Sequence, residues 1–180
     1  MIAVDAMRHG SAPGVLVADV PFTADPGDEH FTRADLVFFG VDHRDRSYEV
    51  RIFFNNPEAG PDTPKDRDQG YAGRFVVFGH GGCYGDLGHC EVPTDRHDPH
   101  DLRRPHALTP HTKILDLSEA LQRTLTGSPQ GLTTVTLVPR SKDPLRKDRG
   151  GTDALFHFDG LELRTYLSED DVDDDAARAV

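Results

Sequence analysis

The segment SYEVRIFFN, residues 47–55, sets Tyr48, Val50, Ile52 and Phe54 against Glu49 and Arg51 in strict alternation. A period of two places each set on its own face of an extended chain, so the segment reads as a half-buried β-strand and not as a helix, whose apolar residues recur at 3.6. The same signal returns along the chain. ADLVFFGV from Ala34, YAGRFVVFG from Tyr71, TKILDL from Thr112 and LTTVTLVPR from Leu132 all read as strands. In FHFDGLELRTYL, Asp159-Gly160 stands between Phe156/Phe158 and Leu161/Leu163, the signature of a two-residue hairpin turn. SEALQRTLTG is the exception: Ser118 is a good N-cap, Leu121 and Leu125 lie four apart, and Gly127 closes the segment, so one short helix is expected. Six to seven short strands with one brief helix make the expected fold all-β, an antiparallel sandwich or barrel.

A chain of 180 residues suits one domain with a core of its own. Residues 1–30 read as an irregular N-terminal segment, 31–167 as the β domain, and 168–180, ending in SEDDVDDDAARAV, as a solvated acidic tail. That tail lacks the Gly and terminal Glu of a calcium loop. A formal net charge of −11 argues against nucleic acid as a partner, because a phosphate backbone would be repelled. No long apolar run spans a membrane, and MIAVDAMRHGSAPGVLVADVPF lacks the charged start and apolar stretch of a signal peptide. The expected setting is the cytoplasm, where thiols stay reduced.

Chemistry concentrates between Phe78 and His111, a stretch that holds both cysteines and six of the ten histidines. His80-x-x-Cys83 followed by His89-Cys90 gathers thiolates and imidazoles in a glycine-rich loop, the ligand types that copper and zinc select. His97, His100, His106 and His111 follow as further candidate metal ligands. Three readings stand side by side: a metal site, a disulfide or free-thiol loop closed by Cys83 and Cys90, and a solvated surface loop. Two cysteines at this spacing do not make a closed structural zinc site, so copper is the favoured metal and zinc the lesser one.

The phrase YEVRIFFNNPEAG…GYAGRFVVFGHGG, followed by KILDLSEAL, TVTLVPR and FDGLEL in that order, resembles the C-terminal β-sandwich domain of molluscan-type haemocyanins and tyrosinase-family copper proteins. The likeness spans roughly residues 31–167, with the HGGCYGDLGHC insertion as its departure, closer to a stand-alone bacterial variant. The resemblance implies a sandwich that packs over the entrance of a dinuclear copper centre, with one side chain acting as a gate. It also implies that oxygen is bound by six histidines on a four-helix core. Pro99, Pro105 and Pro110 prevent a helix through the downstream histidines, so no residue here inherits that active site.

Other catalytic motifs fall short. His80-Gly81-Gly82 looks like an oxyanion-hole phrase, yet Gly127-Ser128-Pro129-Gln130-Gly131 misplaces the serine of a nucleophile elbow. The glycines near Gly79 are followed by no phosphate-binding lysine and no helix. Cys83 beside His80 or His89 could serve as a nucleophile, since an imidazolium lowers a thiol pKa. Two function classes remain. One is a copper-binding accessory sandwich acting on or with a dicopper oxidase partner. The alternative is a small copper-dependent oxidase or oxygenase that takes a phenolic substrate at the His80/Cys83/His89/Cys90 loop.

Overall fold

The computed structural model describes residues 1–23, 31–43, 47–79, 110–141 and 155–167. Expectations for the acidic tail from 168 onward lie outside them. Among the described residues nine strands form two antiparallel sheets. They are β1 (Ile2–Ala3), β2 (Arg8–His9), β3 (Leu16–Phe22), β4 (Phe31–Val41), β5 (Tyr48–Phe54), β6 (Tyr71–Val77), β7 (His111–Asp116), β8 (Leu132–Ser141) and β9 (Gly160–Leu167). One sheet runs β1-β9-β4-β7 and the other β2-β3-β8-β5-β6, and the helix α1 (Ser118–Gly127) links β7 to β8 across them. The all-β sandwich read from the alternation is the fold.

The core explains the alternation. Leu36 and Phe38 of β4 and Leu161 of β9 meet Val50 and Ile52 of β5 and Val135 and Leu137 of β8 in a single buried cluster. Each large side chain taken out of water there contributes about 1.5–3 kcal/mol. Leu121 of α1 is fully buried in the same cluster and Leu125 packs against it, as their spacing of four requires.

The opposite face of β5 departs from the expected half-burial, for Glu49 is only 3% exposed and Phe53 not at all. Residues 55–70, rich in proline, fold back over this face. Phe53, Ala59, Val15 and Val138 form a second small core there, with Tyr71 and Ala12 packed on it. Arg51 reaches the Pro61 carbonyl at 3.3 Å. Asn55 takes a positive φ of 51° to start this return, and its side chain accepts the Thr133 and Thr134 N–H groups while donating to the Gly131 carbonyl at 2.7 Å. Asparagine tolerates that conformation because its amide satisfies local backbone groups.

Three details correct the sequence reading. First, residues 1–30 are not simply irregular: β3 pairs with β8 from Leu16↔Leu137 to Phe22↔Leu132. Val17 and Ala18 are buried as neighbours, whereas Asp19 and Pro21 are exposed on either side of buried Val20, so alternation holds only over the second half of the strand. Pro21 sits where the register shifts between Asp19 and Phe22, a place where a missing N–H is tolerated.

Second, Asp159-Gly160 does not turn a hairpin, because residues 156–158 are not a strand. The Asp159 N–H donates to the Phe39 carbonyl, and Asp42 N–H to that of His157, so the chain keeps running along β4. The two residues have other causes. A Cβ on Gly160 would lie 2.6 Å from the Ile2 carbonyl oxygen of β1, and one on Gly40, at φ +65°, would strike the Asp159 carboxylate.

Third, Ser118 is not the cap. Asp116 accepts from both the backbone N–H and the hydroxyl of Ser118, while that hydroxyl accepts the Ala34 N–H at 2.9 Å, fastening the helix start to β4. These bonds, the Ser118 hydroxyl foremost, hold the Asp116 carboxyl below the usual range.

Candidate functional site

Three connections leave the sandwich at one end. Tyr48 opens β5 opposite Val77, the last residue of β6, and Ser141, the last of β8. Val41 closes β4 opposite His111, the first residue of β7. The chain between β4 and β5, between β6 and β7, and after β8 therefore departs from the same rim. Local bonds knit that rim together. The Tyr48 hydroxyl donates to the Asp42 carbonyl at 2.9 Å, joining the two sheets, and Gly79 N–H donates to the Ser47 hydroxyl at 3.1 Å. Burial above all, with Asp42 nearby, raises the Tyr48 pKa, so the phenol stays a donor at neutral pH.

Beneath the rim lies an aromatic floor. Phe38 meets Phe75 at 5.0 Å and Phe158 at 5.7 Å, and Phe156 stacks on Phe158 at 4.4 Å with a 16° interplanar angle. Such offset and edge contacts add to the burial of the rings themselves. They fill the base of the loop end with buried rings.

On this base sit two histidines. The His43 ring is 7% exposed and stacks on the His111 ring with centroids 4.1 Å apart at 27°. Burial first, then the charges of His43 and Lys113, hold the His111 imidazole below its ordinary pKa. The His111 ring is thereby biased to the neutral form, the form in which imidazole ligates a metal.

Of the sequence-read ligands, His111 alone falls within the described residues. His80, Cys83, His89, Cys90, His97, His100 and His106 all lie in residues 80–109, outside them. Among the described residues no group of three or more His, Cys, Asp or Glu side chains converges as a metal cage would require. The donor chemistry at the rim, the His111 imidazole stacked on that of His43, is of a type that copper and zinc accept. His43 escaped the sequence reading. In VDHRDR it looks like one more solvated charge in a turn, and only the β4–β7 ladder brings it to His111.

A second charged centre lies on the covered face of β5. The Glu49 carboxylate meets Lys65 at 2.5 Å, Arg74 at 3.4 Å and Arg51 at 3.6 Å. Burial pushes its pKa up, but the bond to Lys65 and the charges of Lys65 and Arg51 outweigh this and bring it down to about 2. Lys65 belongs to the returning loop, so this cluster is a clasp and not a catalytic dyad.

No family model matches the sequence, and no curated protein matches it. Solved structures do. Latent aurone synthase from its natural source, a polyphenol oxidase, matches 93% of this chain with a TM-score of 0.51 at 14% identity. Recombinant latent aurone synthase matches with a TM-score of 0.48 at 16% identity over 93% of the chain, and latent apple tyrosinase with 0.45 at 16% over 92%. The chain spans 27–28% of the length of these proteins. Its sandwich is thus similar to a portion of a polyphenol oxidase of the tyrosinase kind, a likeness of fold.

Proposed function

We propose that this chain is a β-sandwich accessory unit that acts on or with a tyrosinase-type dicopper phenol oxidase, and has no phenol-oxidising chemistry of its own. The observation that supports this most is the fold likeness, over 93% of the chain, to a stretch of about a quarter of latent aurone synthase. Titrating the chain into a copper-loaded catalytic domain that lacks its own sandwich should lower the rate of catechol oxidation saturably. An unchanged rate, together with no complex in sedimentation, would overturn the reading.

We further propose that His80, Cys83, His89 and Cys90, with help from the downstream histidines, hold a soft metal. A bound cuprous ion would supply a thiophilic centre there, and the chain's part is to present deprotonated sulfur and neutral imidazole. Cys83→Ser should weaken cuprous binding at least tenfold, on the order of one lost thiolate ligand. The check is competition against a cuprous chelator, and equal affinities would sink the site.

A further inference from the structure

We infer that β7 is a self-association edge: two copies of this chain join their four-stranded sheets through an antiparallel β7–β7 ladder with Ile114 on the two-fold axis. The inference is independent of the proposed function. It begins with the borders of the two sheets. β1 and β2 are two residues each, too short to template a partner. β6 is crossed by α1, where Arg123 donates to the Tyr71 carbonyl and Leu117 lies so close that a Cβ on Gly73 would meet it at 2.8 Å. β7 is the remaining border, six residues long and paired only to β4.

The direction of its backbone groups follows from one bond. Leu117 N–H donates to the Ala34 carbonyl, so Leu115, Lys113 and His111, alternating with it, also face β4. Thr112, Ile114 and Asp116 then direct N–H and C=O away from the sheet. Among the described residues nothing pairs with those groups. Ile114, at the centre of this row between Thr112 and Asp116, is 58% exposed, the kind of border that natural sheets usually blunt.

What selects a second copy is self-complementarity. In an antiparallel pair related by a two-fold axis, residues opposite each other must both face the seam. With Ile114 opposite Ile114, Thr112 falls opposite Asp116, and every outward N–H of one copy meets an outward carbonyl of the other. The Thr112 hydroxyl then lies across from the Asp116 carboxylate, a donor facing an acceptor. The adjacent register centres on Lys113. It sets two lysines against each other and Asp116 against Pro110, which has no N–H to give. The sequence of β7 therefore fits its own copy with Ile114 on the axis, the isologous arrangement of a two-fold dimer.

The test is sedimentation equilibrium of the full chain across a wide concentration range, with amide exchange on the same samples. The expected result is a reversible dimer in which the Ile114 and Thr112 amides slow as dimer forms. Ile114→Lys should raise the dissociation constant by on the order of tenfold or more, with an unchanged circular dichroism spectrum. Should Ile114→Lys fail to fold, Thr112→Glu, which sets a carboxylate against Asp116, must weaken the dimer in its place. Leu167→Lys, at another exposed apolar position, should leave association unchanged. A monomer at every concentration overturns the inference. So does a dimer whose Ile114 amide exchanges freely, or one that survives in the folded lysine variant.

Discussion

The two sheets carry the same alternating signal and meet water differently. The sheet built on β5 is covered on both faces: its inner side chains join the main core, and Phe53, Val138 and Glu49 lie under residues 12–15 and 55–70. The sheet built on β4 carries charge and aromatics on its outer face, with Arg33 paired to Asp35 at 2.8 Å and set over the Tyr166 ring at 6.0 Å and Arg164 paired to Glu162, while Asp35 and Val37 in the middle of β4 are buried. The covered face spends its residues on stability. The outer face of the β4 sheet exposes Ile114 and Tyr166, and its β7 border leaves backbone groups available for association. Alternation says which residues share a face; the path of the connections says whether that face meets solvent.

The strongest way to break this comparison is to remove a side chain from the second core. Phe53→Ala should cost about 3–5 kcal/mol in chemical denaturation, the usual range for a fully buried phenylalanine. Its ring also contacts Tyr71 at 5.6 Å, so loss of order in residues 55–70 should accompany it. A cost below about 1 kcal/mol would mean that the return loop is not a true second core.

Glu49→Gln should come next, at about 1–2 kcal/mol. A buried carboxylate bound by cations is costly to lose, but Lys65 and Arg74 remain 34% and 47% exposed, and solvent screens their share. The pH dependence has a definite sign. With its pKa down from 4.5 to about 2, Glu49 contributes stability that is present above pH 4.5 and is lost as pH falls toward 2. An acid titration of the melting midpoint should flatten across that window in the variant, and an unaltered acid limb would remove Glu49 as the clasp.

His111→Ala should act at a different pH. Its pKa is depressed, so the folded state favours the neutral ring, and its contribution is present above about pH 6.5 and fades below it. Amide exchange near Val41 and His111 should then lose its sensitivity to mild acid in the variant. If the sensitivity survives, the stacked pair is not what titrates. The smallest effect is expected on the outer face of the β4 sheet. Arg164→Ala removes an exposed pair to Glu162, and its thermal midpoint should match the parent, whereas a clear drop would mean that this face is covered in solution.

The strands from Ala34 onward and the helix over residues 118–127 were legible in the sequence because their cause is local. Residues one and two apart choose a face, and residues four apart meet on a helix. Other features were not local. β3 was missed because neighbouring Val17 and Ala18 are both buried, which blurs its alternation, and Pro21 reads as a breaker until its register shift is seen. Asp159-Gly160 carries a hairpin signal, yet the glycine is required by the approach of Ile2 and the aspartate lies over Gly40, contacts set by distant strands. Of the candidate site, the sequence marked the Cys/His stretch and His111; His43 gained its partner only through the pairing of β4 with β7.

By itself, then, the sequence determined an all-β chain with one helix, its main strands and where cysteine and histidine concentrate, because periodicity and composition are properties of neighbours. Only the tertiary structure decided which face of each sheet is covered, where Glu49 finds its cations, which end gathers the loops, and that β7 is left as a border. Those outcomes depend on contacts between segments far apart in the chain, and local pattern carries no information about which of them will meet.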